Sequence, residues 1–147
     1  QPPYPCDELM GARAEIEEVE RARGAADRRL IDVRAADRYR GERDPFDLIA
    51  GHIPGARNVP YADNLRSDAT FKSAAELRAL YTAALDGVAP AQAIVYCASG
   101  VTACHTLLAM RRAGLHGAKL YVGSWSEWYL DPRRARAPAG AMSPAGG

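Results

Sequence analysis

Ile94-Val95-Tyr96-Cys97-Ala98-Ser99-Gly100-Val101-Thr102-Ala103 is the stretch on which the reading of this chain turns. Three apolar residues give a short strand, a cysteine opens a loop of small residues, and helical periodicity resumes at Thr102. Residues 98 to 101 are compact enough to turn their backbone N–H groups toward one point, the sulfur of Cys97. The helix start beyond adds partial positive charge, so the cradle favours an anion. A thiol placed there is expected to favour thiolate, its nucleophilic form. A cysteine met alone reads more simply as a buried, inert residue. The strand–loop–helix setting argues for the reactive reading.

Upstream, Ser73-Ala74-Ala75-Glu76 has capping-box spacing, and Leu77, Leu80, Tyr81, Ala84 and Leu85 recur at helical period. This predicts a helix over 74–86, closed by Asp86-Gly87, and a strand over Ala93 to Tyr96. Downstream, a helix is expected over Thr102 to Ala113, with Arg111 and Arg112 in its last turn and Gly114 after it. Lys119 to Val122 reads as a last short strand, and Ser124 to Tyr129 as a short helix or turn. Nearer the start, Leu30 to Val33 is an apolar run of strand length followed by a helix-compatible piece, Arg34 to Arg40. Ala56 to Pro60 is a further extended segment. From about Glu8, Leu9, Ala12, Ile16 and Val19 recur at helical spacing, with Glu15, Glu17, Glu18 and Glu20 opposite them as a solvated face.

Strands alternating with helices argue a small, mainly parallel sheet in an α/β fold, with ligands bound beyond the carboxyl ends of the strands. Cys97 sits at one such end. The expected organisation is a proline-rich lead-in and helix start over 1–15, one domain over 16–130, and a disordered tail rich in Pro, Ala, Gly and Arg over 131–147. The chain begins with Gln1 rather than Met, as expected of a trimmed chain or a segment of a longer one.

Composition narrows the function by exclusion. The 147 residues carry a net charge of +1, so no global field recruits nucleic acid or a membrane surface. Cys6, Cys97 and Cys104 have neither disulfide nor zinc spacing, which favours a reducing, cytoplasmic setting. No apolar run approaches the roughly 18 residues of a membrane span.

Within the loop, three chemistries compete. A phosphatase would end the loop with an arginine to clamp phosphate, and Thr102 stands there instead. A disulfide oxidoreductase would want a second cysteine where Gly100 is found. Attack of the thiolate on a sulfur atom needs only N–H donors and something to hold an anionic substrate.

Cys97-Ala98-Ser99-Gly100-Val101-Thr102-Ala103-Cys104-His105 resembles the active-site loop of the rhodanese superfamily, in particular the catalytic C-terminal domain of 3-mercaptopyruvate/thiosulfate sulfurtransferases. Three further segments fit, in the same order, across about residues 30 to 130. Leu30-Ile31-Asp32-Val33-Arg34 through Arg38-Tyr39-Arg40-Gly41 is similar to the first strand and substrate-arginine region. Gly51-His52-Ile53-Pro54-Gly55-Ala56 resembles the "GHIPGA" turn, and Leu120 to Trp128 the "LYDGSWSEW" segment. The resemblance implies a three-layer α/β/α fold and sulfur transfer through a Cys97 persulfide. The donor would be 3-mercaptopyruvate, or thiosulfate. The sulfur would pass to a thiol, cyanide or a thioredoxin-like protein, with no metal or organic cofactor required. It also implies an upstream inactive domain of the same fold as a partner in the cleft.

The same resemblance assigns site residues. Cys97 would be the nucleophile, and Ser99 would bond the substrate carbonyl or relay a proton. Ala98, Gly100, Val101 and Thr102 would line the anion cradle, with Thr102 also read as a helix cap. Arg38 would clamp the carboxylate, its planar fork suiting that task. Arg43 is a second candidate clamp whose plainer reading is a surface side chain. Ala98 replaces the usual glycine, which would strain it if φ there is positive. Val122 stands where the family usually has aspartate. His105 is read as structural, on the assumption that Cys104 and Leu108 face the core. A module of this fold that senses sulfide or redox state, with little turnover, is the alternative.

Overall fold

A computed structural model describes residues 12–42 and 49–137. Its centre is β3, Ala93–Tyr96, four residues that are all fully buried. Such a run has no polar face to turn to solvent, so it must be covered on both sides, as in parallel sheets. β3 lies between β1 (Arg29–Asp32) and β4 (Lys119–Leu120), and β1 continues to β2 (Arg57–Asn58), giving the order β2-β1-β3-β4 with every pair parallel. Alternate residues divide between two cores. Ile31, Val33, Val95 and Cys97 pack with Leu77, Tyr81, Ala109 and Met110 of α3 (Ala74–Leu85) and α4 (Val101–Arg112). Leu30, Ile94 and Tyr96 pack with Val19 of α1 (Ile16–Ala22) and with Trp125 and Trp128 of the short helix Ser124–Trp128. The result is the expected three-layer α/β/α arrangement.

Local chemistry accounts for the element ends. Ser73 Oγ accepts from the Glu76 N–H at 3.2 Å while Glu76 accepts from the Ser73 N–H at 2.7 Å, so the capping box is complete. Asp86, at φ 49°, turns α3 off, and Gly87 follows at φ 82°.

Three expectations change in the structure. The first helix begins at Ile16; Ala12 to Ala14 are instead extended and paired along β4, through Leu120 N–H to Ala12 O at 3.0 Å and Ala14 N–H to Leu120 O at 2.9 Å. An open sheet edge with unmet backbone groups takes this segment in preference to another turn of helix. Glu8 and Leu9 lie outside the described residues. Of the 131–147 stretch that composition suggests is a disordered tail, residues 131–137 fold back onto the domain and 138–147 lie outside the described residues. Ala137 exchanges two backbone hydrogen bonds with His52, and the Trp128 indole N–H donates to Ala135 O at 2.9 Å. Third, α4 turns Ala103, Thr106, Ala109 and Met110 inward and leaves Cys104 and Leu108 exposed, opposite to the face assumed for them. Among the described residues no helix is long and apolar enough to cross a membrane.

Candidate active site

β3 ends at Tyr96, and Cys97 is the next residue, its side chain continuing the α3/α4 face with 2% of the residue exposed. The Gly100 N–H donates to Cys97 Sγ at 3.1 Å. Gly100 also occupies the cap position of α4, at φ 89°. One residue therefore ends the loop, starts the helix and aims a donor at the sulfur. Only glycine can do this: a Cβ at position 100 would lie 2.5 Å from the carbonyl oxygen of Val122. Thr102, expected to cap the helix, lies one residue inside it, and no side chain caps this end. Ala98 is not strained, since the non-glycine residues with positive φ among those described are Ala69, Asp86 and Ser124.

The loop rests on the segment after β4. The buried Ser124 hydroxyl accepts from the Cys97 N–H at 3.1 Å and donates to Tyr121 O at 2.8 Å. The Trp125 N–H donates to Cys97 O, and the Ser126 N–H to Ala98 O, both at 3.0 Å. Cys97 thus has its backbone N–H and carbonyl both satisfied within the protein. Ser99 and Val101 are exposed at the loop's rim, beside the exposed Val122; Ala98 and Thr102 are half-buried. No lysine or arginine lies between 97 and 110, so the loop itself supplies hydrogen-bond donors and dipole but no full positive charge.

The neighbouring strand leads into the segment that carries Arg38. β1 and β3 run in register, Asp32 beside Tyr96, so the chain leaving β1 emerges at the same sheet edge as the Cys97 loop. It forms α2 (Ala36–Tyr39), on which Arg38 is half-buried. Arg43 lies outside the described residues. Tyr39 secures this segment: its hydroxyl donates to Ala56 O at 2.6 Å, its ring stacks on His52 at 3.7 Å between centroids, and its carbonyl meets His52 Nδ1 at 2.6 Å. Burial holds the His52 imidazole below its usual pKa, against the opposing pull of the Tyr39 carbonyl.

Trp125 and Trp128, which the sequence suggests pack beneath the loop, are both fully buried; Arg34 and Ser124 are two supports of the site that sequence reasoning does not single out. Arg34, 2% exposed, is paired with fully buried Asp32 through Nη2 at 2.7 Å and Nε at 3.1 Å, and it donates to Gly51 O at 2.7 Å. Strand periodicity carries a signal for that pair, since positions 32 and 34 share a face. Ser124 and Trp125 are tied to Cys97 across more than twenty residues, through backbone groups that no side-chain pattern announces. His105, read as structural, packs on the Phe71 ring at 4.7 Å and meets the Asn64 amide at 3.1 Å. The Tyr81 hydroxyl bonds that same buried Asn64.

Residues 15–131 match the family model described as the rhodanese-like domain. A protein of Pseudomonas aeruginosa named "Probable 3-mercaptopyruvate sulfurtransferase" is 50% identical over 105 residues, 71% of this chain and 37% of that protein. The thiosulfate sulfurtransferase of Rattus norvegicus is 43% identical over 104 residues, 68% of this chain and 34% of its own length. The crystal structure of the Tum1 protein from Saccharomyces cerevisiae superposes with a TM-score of 0.69 at 28% identity, over 81% of this chain and 43% of that one. The chain thus spans about a third of the length of these curated relatives.

Proposed function

The chain belongs to the rhodanese-like family, and on that premise we propose that it is the sulfur-handling part of a sulfurtransferase that takes 3-mercaptopyruvate in preference to thiosulfate. The observation that carries this reading is the Gly100 N–H directed at Cys97 Sγ, 3.1 Å away, at the mouth of α4. A donor fixed in place before reaction stabilises negative charge on sulfur without reorganisation. The Cys97 thiolate attacks the thiol sulfur of the donor and forms an S–S bond. The C–S electron pair leaves as the enolate of pyruvate, which takes a proton, and Cys97 is left as a persulfide. The terminal sulfur then passes to a thiol, a thioredoxin-like protein or cyanide.

Arg38 holds the donor carboxylate, with Arg43 as the second candidate, and Ser99 bonds the keto oxygen or relays the proton to the enolate. The neutral rim of Ala98, Ser99, Val101 and Val122 supports a donor with one charge held away from the loop over a dianion held at it. Mass spectrometry of the Cys97 peptide after exposure to 3-mercaptopyruvate is expected to show one added sulfur, absent in Cys97→Ser. Sulfur transfer that survives Cys97→Ser sinks the mechanism. Arg38→Ala is expected to reduce turnover of mercaptopyruvate more than of thiosulfate, and equal losses count against the donor assignment. Negligible turnover with both donors favours the sensing module instead.

A further inference from the structure

Two walls of the site come from different parts of the chain, and two buried side chains fasten them to each other. Trp125, fully buried, is bonded at both ends. Its backbone N–H donates to the carbonyl of Cys97 at 3.0 Å, and its indole N–H donates to the carbonyl of Ile49 at 2.8 Å. The Arg34 guanidinium lies over that indole, 5.1 Å from the ring centroid, and reaches past it to the carbonyl of Gly51 at 2.7 Å. Asp32 fixes the guanidinium from the other side. From Gly51 the connection runs on to Arg38. His52 meets the Tyr39 carbonyl, the Tyr39 hydroxyl meets Ala56, and the Ile53 N–H donates to the Tyr96 hydroxyl at 3.1 Å.

We propose that Trp125 and Arg34 are positioning residues that set the spacing between the Cys97 sulfur and the wall carrying Arg38. The proposal rests on the reading of Cys97 as nucleophile and Arg38 as anion clamp. Packing alone does not account for the pair. A phenylalanine fills much of the indole's volume without reaching Ile49, and desolvating a guanidinium is unfavourable unless its donors are used. Here those donors are spent on Asp32 and on a backbone carbonyl of the opposite wall. Spacing matters because a misplacement of about 1 Å between reacting groups can lower a rate by about 100-fold.

The test compares wild type with Trp125→Phe, which cuts the bond to Ile49 and keeps the backbone bond to Cys97, and with Arg34→Lys, which keeps a charge for Asp32. Three quantities are read: KM and kcat with 3-mercaptopyruvate, the melting transition, and alkylation of the Cys97 peptide by iodoacetate relative to iodoacetamide. The last needs no sulfur chemistry, because only the charged reagent feels the Arg38 wall. A misplaced clamp is expected to raise KM by roughly 10-fold with kcat changed by less than about 3-fold, and to lower the iodoacetate preference by about 3-fold or more. Iodoacetamide alone should react at nearly the wild-type rate. Variants that melt cooperatively with KM and reagent preference unchanged overturn the proposal, and so does loss of a cooperative melt in both, which marks the pair as structural only. If wild type forms no persulfide, the sulfurtransferase reading fails while the reagent preference still decides the positioning role.

Discussion

Gly100→Ala tests the central geometry most directly, because one substitution strains the loop, the helix start and the sulfur's donor together. At φ 89° an L-residue sits in the left-handed region, at roughly 1–2 kcal/mol. The new methyl would also lie 2.5 Å from Val122 O and 3.3 Å from its carbonyl carbon and Cα. Neither neighbour is a flexible side chain, so the loop and the segment after β4 must part by the better part of an ångström, at about 1–3 kcal/mol for overpacking. A loss of about 3 kcal/mol in a domain of this size lowers Tm by roughly 10 °C. The same movement draws the Gly100 N–H away from Cys97 Sγ. A hydrogen bond to a charged group is worth about 1.5–3 kcal/mol, so persulfide formation should slow by roughly 10- to 100-fold. Thermal unfolding followed by circular dichroism reads the first effect, and single-turnover sulfur transfer reads the second. Ala98→Gly is the internal control, since Ala98 is not a left-handed residue; it should leave the rate nearly unchanged and lower stability by no more than about 1 kcal/mol. A Gly100→Ala protein with wild-type Tm would refute the steric reasoning. A lowered Tm with an unchanged rate would refute the role of the N–H donor.

Two further expectations concern the supports of the site and of the fold. Ser124→Ala leaves the buried Cys97 N–H without its 3.1 Å acceptor, so stability should fall by about 1–3 kcal/mol; Ser124→Gly, which relieves the φ of 54°, should lose less, and equal losses would place the effect elsewhere than in the backbone. The Ser73 N–H and hydroxyl, then Arg66, hold the Glu76 carboxyl down from the ordinary 4.5 to about 2. A depressed carboxyl stabilises the fold above its unfolded pKa, and this contribution is lost as pH falls from about 4.5 toward 2. Glu76→Gln should therefore lower Tm at neutral pH, flatten the decline of Tm across that acid window, and leave sulfur transfer intact; an unchanged acid profile would refute the linkage.

What could be read in advance divides by whether a residue or a backbone group does the work. The four apolar residues of β3, the capping box at Ser73 and the small-residue loop at Cys97 were legible because each position admits few side chains. Gly100 lies in that loop, although the reason it must be glycine, the approach of Val122 O, appears only in three dimensions. The misread face of α4 shows the opposite case. Its sheet-facing residues include Ala103 and Ala109, small enough to bring helix and sheet close, whereas its larger apolar residue Leu108 is 56% exposed. Large and small apolar residues both occur on the inward face, Met110 beside Ala103 and Ala109, so apolar size alone does not tell Leu108 from its neighbours. Residues 131–137 follow a related logic: the pairing of Ala137 with His52 is made by main-chain groups that any sequence carries. The same holds for the strut from Cys97 through Trp125 to Ile49, a contact across 76 residues that ends on a carbonyl. A site whose nucleophile must be cysteine announces that position, whereas the left-handed turn, considered at Ala98, lies at Gly100. The side chains that aim them bond to carbonyls of Tyr121, Ile49 and Gly51, and so leave no pattern in the residues they hold.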